Sequence, residues 1–91
     1  MPDSRRVQIL VSGRVQGVGF RYETHTRAVS LGLSGWVTNR LDGTVEVALE
    51  GPVERVELLL RWCREGPPSA YVDQIDIEWQ EPTGEQEFEV R

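Results

Sequence analysis

The chain has 91 residues with ten arginines, no lysine, fifteen acidic residues and a formal net charge of −5, a length that holds one domain around one modest core. No run approaches the ~20 apolar residues of a membrane span, and the polar start Met1-Pro2-Asp3-Ser4-Arg5-Arg6 does not read as a signal peptide, so a cytoplasmic location is expected. The lone Cys63 and the lone His25 exclude an internal disulfide and the usual zinc cages and leave only carboxylate-bound magnesium open.

The acidic balance argues against a general nucleic-acid binder, which needs basic surface to release counterions from phosphates. The charge is also unevenly placed. Residues 1–45 hold six arginines against three acids, and residues 46–91 hold four against twelve. A small anion steered to the first half suits this distribution, and so does an ordinary solvated acidic face in the second.

In chain order, residues 1–4 read as a loose lead-in. Arg6-Val7-Gln8-Ile9-Leu10-Val11-Ser12 then alternates Val7, Ile9 and Val11 on one face, with enough β-branching for a strand. It runs into Ser12-Gly13-Arg14-Val15-Gln16-Gly17-Val18-Gly19-Phe20-Arg21, with three glycines in seven residues. Glycines at this density free the backbone for positive φ and clear side chains away from successive N–H groups, which can then converge on an anion. A helix beginning near Phe20 or Arg21 would add unpaired amides and the positive end of its dipole. Arg21 would add a guanidinium fork shaped for two phosphate oxygens. A Walker A loop is excluded by the absence of lysine. A dinucleotide fingerprint beginning at Gly17-Val18-Gly19 fails because Tyr22 stands where the third glycine belongs. On spacing alone, a glycine-rich turn with a surface arginine also remains open.

From Arg21 to Leu31 the spacing of Tyr22, Ala28, Val29 and Leu31 predicts a helix, stopped by Gly32. Gly35–Leu41 and Thr44–Glu50 read as two strands joined through Asp42-Gly43, a hairpin signal. Regular alternation puts Asn39 on the face of Val37 and Leu41, where apolar neighbours point. Gly51-Pro52 opens a second helix carrying Val53, Val56, Leu59, Leu60 and Cys63 as its apolar stripe, ended by Gly66-Pro67-Pro68. Ala70–Gln80 reads as a strand and Phe88–Arg91 as a short final strand or tail. His25, one turn beyond Arg21, reads as an exposed helix position, and Trp36, Trp62 and Trp79 as packing residues. The order β-α-β-β-α-β predicts an α+β, ferredoxin-like sandwich with two helices on one face of an antiparallel sheet and a short extra C-terminal strand. That fold hosts many activities and settles none.

Two stretches together resemble the acylphosphatase family. Val11 to Arg21 is similar to its phosphate loop, and Gly35-Trp36-Val37-Thr38-Asn39 with Gly43, Val45 and Gly51 is similar to its second signature. Thr38 departs from the longer, often basic residue that the family more often carries there. The resemblance implies hydrolysis of acyl phosphates to carboxylate and inorganic phosphate, with no cofactor or metal and no nucleic-acid or membrane partner. It implies phosphate binding by the main-chain N–H groups of Val15, Gln16, Gly17, Val18, Gly19 and Phe20, with Arg21 and Asn39 as catalytic residues. A monomer is the working expectation. The residues agree for a separate reason: they offer no nucleophile beside a base, so the substrate must carry a good leaving group. A carboxylate, of aqueous pKa roughly 4–5, is one. The rival reading is a non-catalytic ferredoxin-like module that binds a small anion or RNA.

Overall fold

The computed structural model describes residues 3–91, in the order β1 (Ser4–Arg14), α1 (Phe20–Ser30), β2 (Ser34–Asn39), β3 (Val45–Pro52), α2 (Val53–Cys63), β4 (Tyr71–Gln80) and β5 (Phe88–Val90). The lead-in expected over residues 1–4 is shorter, since β1 already begins at Ser4 and the Val53 N–H donates to the Asp3 carbonyl at 2.9 Å. Residues 1–2 lie outside the described residues.

The five strands form one sheet in the order β4-β1-β3-β2-β5. β1 and β2 each pair antiparallel with β3 and therefore run the same way, so the connection between them must cross over, and α1 supplies the crossover. Val7, Ile9 and Val11 stand opposite Leu49, Val47 and Val45, and Val37 stands opposite Val47. This apolar face receives both helices. α2 covers β1 and β3 with Val56, Leu59, Leu60 and Cys63, as the sequence predicts, while Val53, also expected in the stripe, is only half-buried, and α1 lies over β2 and β5.

Three expectations are corrected. The buried stripe of α1 is Phe20, Thr24 and Ala28, while Tyr22 and Val29 are exposed. Thr24 can be core because its hydroxyl donates to the Phe20 carbonyl at 2.7 Å. β2 ends at Asn39, so Leu41 leaves the strand and is fully exposed in the turn. The sheet is not wholly antiparallel, because β5 pairs parallel with β2, Gly35 against Phe88 and Val37 against Val90. β4 runs opposite to β1, hence opposite to β2, and the chain reverses once between β4 and β5. One reversal leaves β5 pointing along β2.

The polar face is closed at one end. Arg6 and Glu50 are register partners on the face away from the helices, both buried, with Arg6 Nη1 and Glu50 Oε1 3.0 Å apart. The Glu50 carboxylate also accepts from the Thr83, Gly84 and Glu85 N–H groups, pinning the segment that leads to β5. Burial pushes the Glu50 carboxyl up, but the Thr83 and Gly84 amides and the Arg6 guanidinium outweigh it and hold the group below its ordinary value.

Candidate active site

Because β1 and β2 run in the same direction, their C-terminal ends emerge at the same end of the sheet. Asn39 is level with Val45, which is level with Val11, so Asn39 sits two strand spacings, about 10 Å, from β1. Its side chain shares the helix-facing side with Val37, as the alternation predicts. The segment after β1 and the start of α1 fill the space above it.

β1 shifts register between Ser12 and Gly13, and the chain then turns through residues 15–19 without regular structure. Gly17 and Gly19 have φ of 72° and 85°, values that cost an L-residue roughly 1–2 kcal/mol. A Cβ at either position would meet nothing within 4 Å. Backbone conformation, not space, is what requires glycine there. Val15 and Phe20 point inward and fix the loop to the core, Phe20 with its ring 5.3 Å from that of Trp62. Among the described residues, the main-chain N–H groups of residues 15–20 have no tertiary hydrogen-bond acceptor. Gly19 is the N-cap of α1 and makes no side-chain cap hydrogen bond. The helix therefore presents uncapped donors and the positive end of its dipole to whatever lies in front.

A pocket of ≈ 270 Å³ opens at this point, lined by Val15, Gly17, Gly19, Phe20, Arg21, Tyr22, Asn39 and Val90. It brings together Arg21 and Asn39, which are far apart in sequence, with the glycine loop. Gln16 and Val18, the other two loop residues expected to donate main-chain N–H groups, are not in its lining. Val18 packs against the core, and the Gln16 side chain turns towards the β2–β3 hairpin. Arg21 Nη1 donates to the Arg91 carbonyl at 3.0 Å. That occupies one of five guanidinium N–H donors and orients the rest. The Asn39 Oδ1 atom is buried without a hydrogen-bond partner, a state that costs ~1–3 kcal/mol. Asn39 thus contributes to the pocket lining while its carbonyl oxygen stays buried and unpaired.

Tyr22, Val90 and the Arg91 carbonyl were not legible as site residues. Tyr22 reads as a helix-face residue, and nothing local places β5 beside β2. His25, expected to be exposed, is half-buried with its ring 6.0 Å from Phe88. Thr38 lies on the opposite face from Asn39, level with Glu46. No group of three or more His, Cys, Asp or Glu side chains that could hold a metal ion is found among the described residues. No described helix is long and apolar enough to cross a membrane.

Fold and pocket define the class: a ferredoxin-like α+β protein with an uncapped glycine loop between its first strand and helix. The Acylphosphatase family pattern matches residues 7–90. An acylphosphatase of Pelotomaculum thermopropionicum is 55% identical over 80 residues, covering 88% of this chain and 87% of that one. The crystal structure of acylphosphatase from Bacillus subtilis superposes with a TM-score of 0.91 at 36% identity, covering 96% and 98% of the two chains. The structure of an acylphosphatase from Coxiella burnetii gives 0.92 at 36% identity, covering 98% and 94%. The chain belongs to the acylphosphatase family. The alternative of a non-catalytic module that binds a small anion or RNA is not favoured by these relatives, and Glu46, Asp76 and Glu78 on the open face of the sheet suit RNA poorly.

Proposed function

We propose that the protein hydrolyses acyl phosphates, binding the phosphate group on the main-chain amides of residues 15–20 with Arg21 and using Asn39 to hold the attacking water. The observation that carries this reading is the convergence, in one pocket, of an uncapped glycine loop, the Arg21 guanidinium and the Asn39 side chain. The amides and Arg21 complement the charge spread over the equatorial oxygens of a loose phosphoryl-transfer transition state. Water is held by a hydrogen bond with the Asn39 side-chain amide, which leaves an oxygen lone pair turned towards phosphorus. As the new P–O bond forms, the bond from phosphorus to the carboxylate oxygen breaks and the acyl group leaves as carboxylate. An amide is no base at neutral pH, so the water proton passes to a phosphate oxygen. Since the leaving group is a weak base, no general acid is needed. The products are carboxylate and inorganic phosphate.

Phosphate release from benzoyl phosphate, measured with a chelator present, tests the reading. Arg21→Gln and Asn39→Ala each lower kcat by about 10²-fold or more, the size of a lost transition-state contact. p-Nitrophenyl phosphate, with its poorer leaving group, is turned over far more slowly. Full activity in either variant refutes that residue's role, and strict dependence on added magnesium refutes the metal-free mechanism. On the same reading the chain acts as one cytoplasmic domain, monomeric and without nucleic acid.

A further inference from the structure

We propose that Gln16 is a positioning residue whose side-chain amide straps the phosphate loop to the β2–β3 hairpin and so sets the distance between the bound phosphate and Asn39. This rests on the reading of Asn39 given above. Gln16 Nε2 donates to the Arg40 carbonyl at 2.7 Å and to the Thr44 carbonyl at 2.9 Å. Two N–H groups meet two acceptors, so the amide nitrogen is saturated. Both carbonyls already serve the turn, Thr44 O accepting from Arg40 N–H at 2.8 Å and Arg40 O from Gly43 N–H at 3.2 Å. Gln16 takes their remaining lone pairs.

The hairpin mouth is itself stiff, because the Asp42 carboxylate accepts from the Thr44 N–H at 3.0 Å and the Thr44 hydroxyl at 2.6 Å. Asn39 precedes Arg40 directly, so whatever holds the Arg40 carbonyl also holds the Asn39 backbone. The sequence separation from Gln16 to Arg40 is 24 residues, by way of α1 and β2. Among the described residues, Gln16 makes the only side-chain hydrogen bonds that join the phosphate loop to this hairpin. Its neighbours in sequence, Val15 and Gly17, line the pocket. The loop that holds phosphorus and the strand end that holds the water are thereby locked to each other. In-line attack needs that lock, since a 1 Å misplacement of reacting groups costs ~10²-fold in rate.

The test is a double-mutant cycle on benzoyl phosphate hydrolysis. Gln16→Met keeps the side-chain length and loses both donors. It lowers kcat by about 10–100-fold, while KM and the inhibition constant of inorganic phosphate stay within about threefold, because the main-chain amides and Arg21 still bind the phosphate. Gln16→Lys, whose ammonium can reach and donate to both carbonyls, restores most of kcat. In the Asn39→Ala background Gln16→Met changes kcat by less than about twofold, since there is no longer a held water to misplace. The proposal is overturned if the Gln16→Met loss is equal on both backgrounds, or if phosphate inhibition weakens in step with kcat. Loss of activity in Asn39→Ala with none in Gln16→Met overturns the strap alone. Full activity in Asn39→Ala overturns the reading of Asn39 and the strap with it.

Discussion

Replacing Glu50 by alanine tests the polar lock on the face away from the helices. The carboxylate accepts from Arg6 Nη1 at 3.0 Å, Thr83 N–H at 3.0 Å, Thr83 Oγ1 at 3.1 Å, Gly84 N–H at 2.7 Å and Glu85 N–H at 3.2 Å. Its removal leaves the Arg6 guanidinium, whose side chain is 8% exposed, without its nearest counter-charge. Breaking a buried pair from one side costs roughly 3–5 kcal/mol. Arg6 keeps Gln80 Oε1 and Thr83 Oγ1 at 3.2 Å each, and the loop amides can reach water, so the lower end, about 3 kcal/mol, applies. For a domain of this size that is a fall in Tm of about 10–25 °C, read by circular dichroism at pH 7. Acid supplies an independent arm through Glu50→Gln, which does not titrate. The folded-state carboxyl is held below its ordinary value near 4.5. Its contribution is therefore complete above that value and is lost as pH falls through the lower, folded-state one. The Tm gap between native protein and Glu50→Gln accordingly narrows below about pH 4.5. A Glu50→Ala loss under about 1 kcal/mol, or a gap that widens on acidification, refutes the reasoning.

Gly19→Ala forces a side chain into a φ of 85° with open space around it. It costs about 1–2 kcal/mol in urea unfolding and raises the inhibition constant of inorganic phosphate, because the cradle relaxes. Cys63 is buried, and burial pushes its thiol up to about 12. At pH 8 the folded protein therefore resists alkylation by iodoacetamide, and the reaction becomes complete in denaturing urea, as mass spectrometry would read.

What the sequence made legible follows from local periodicity. Val7, Ile9 and Val11 alternate, as do Val45, Val47 and Leu49, and the buried stripe of α2 recurs at helical spacing. The facing of Asn39 came from the same alternation, and the strand–glycine loop–helix order placed Arg21 beside the loop, where it lines the pocket. α1 misled because its strongest apolar side chains, Tyr22 and Val29, lie outside the buried stripe, while Thr24 becomes core only through a hydrogen bond to its own helix. The place of β5 was hidden for a different reason. A three-residue strand has too little pattern to specify a partner, and its position depends on the Glu50 carboxylate capturing residues 83–85. In the sequence Gln16 is indistinguishable from any other loop amide, because side-chain donors reveal their acceptors only once the hairpin is folded against them.

β4 is the long outer strand of the sheet, with one side unpaired along ten residues, the geometry by which proteins stick to one another through strand addition. Here that border carries Asp73, Asp76 and Glu78. An identical strand laid alongside antiparallel would bring carboxylates within ~5–8 Å of carboxylates, and their repulsion disfavours the stacked growth that leads to fibrils. Three of the twelve acids in the second half of the chain thus stand at this border, away from the pocket at the far end of β2.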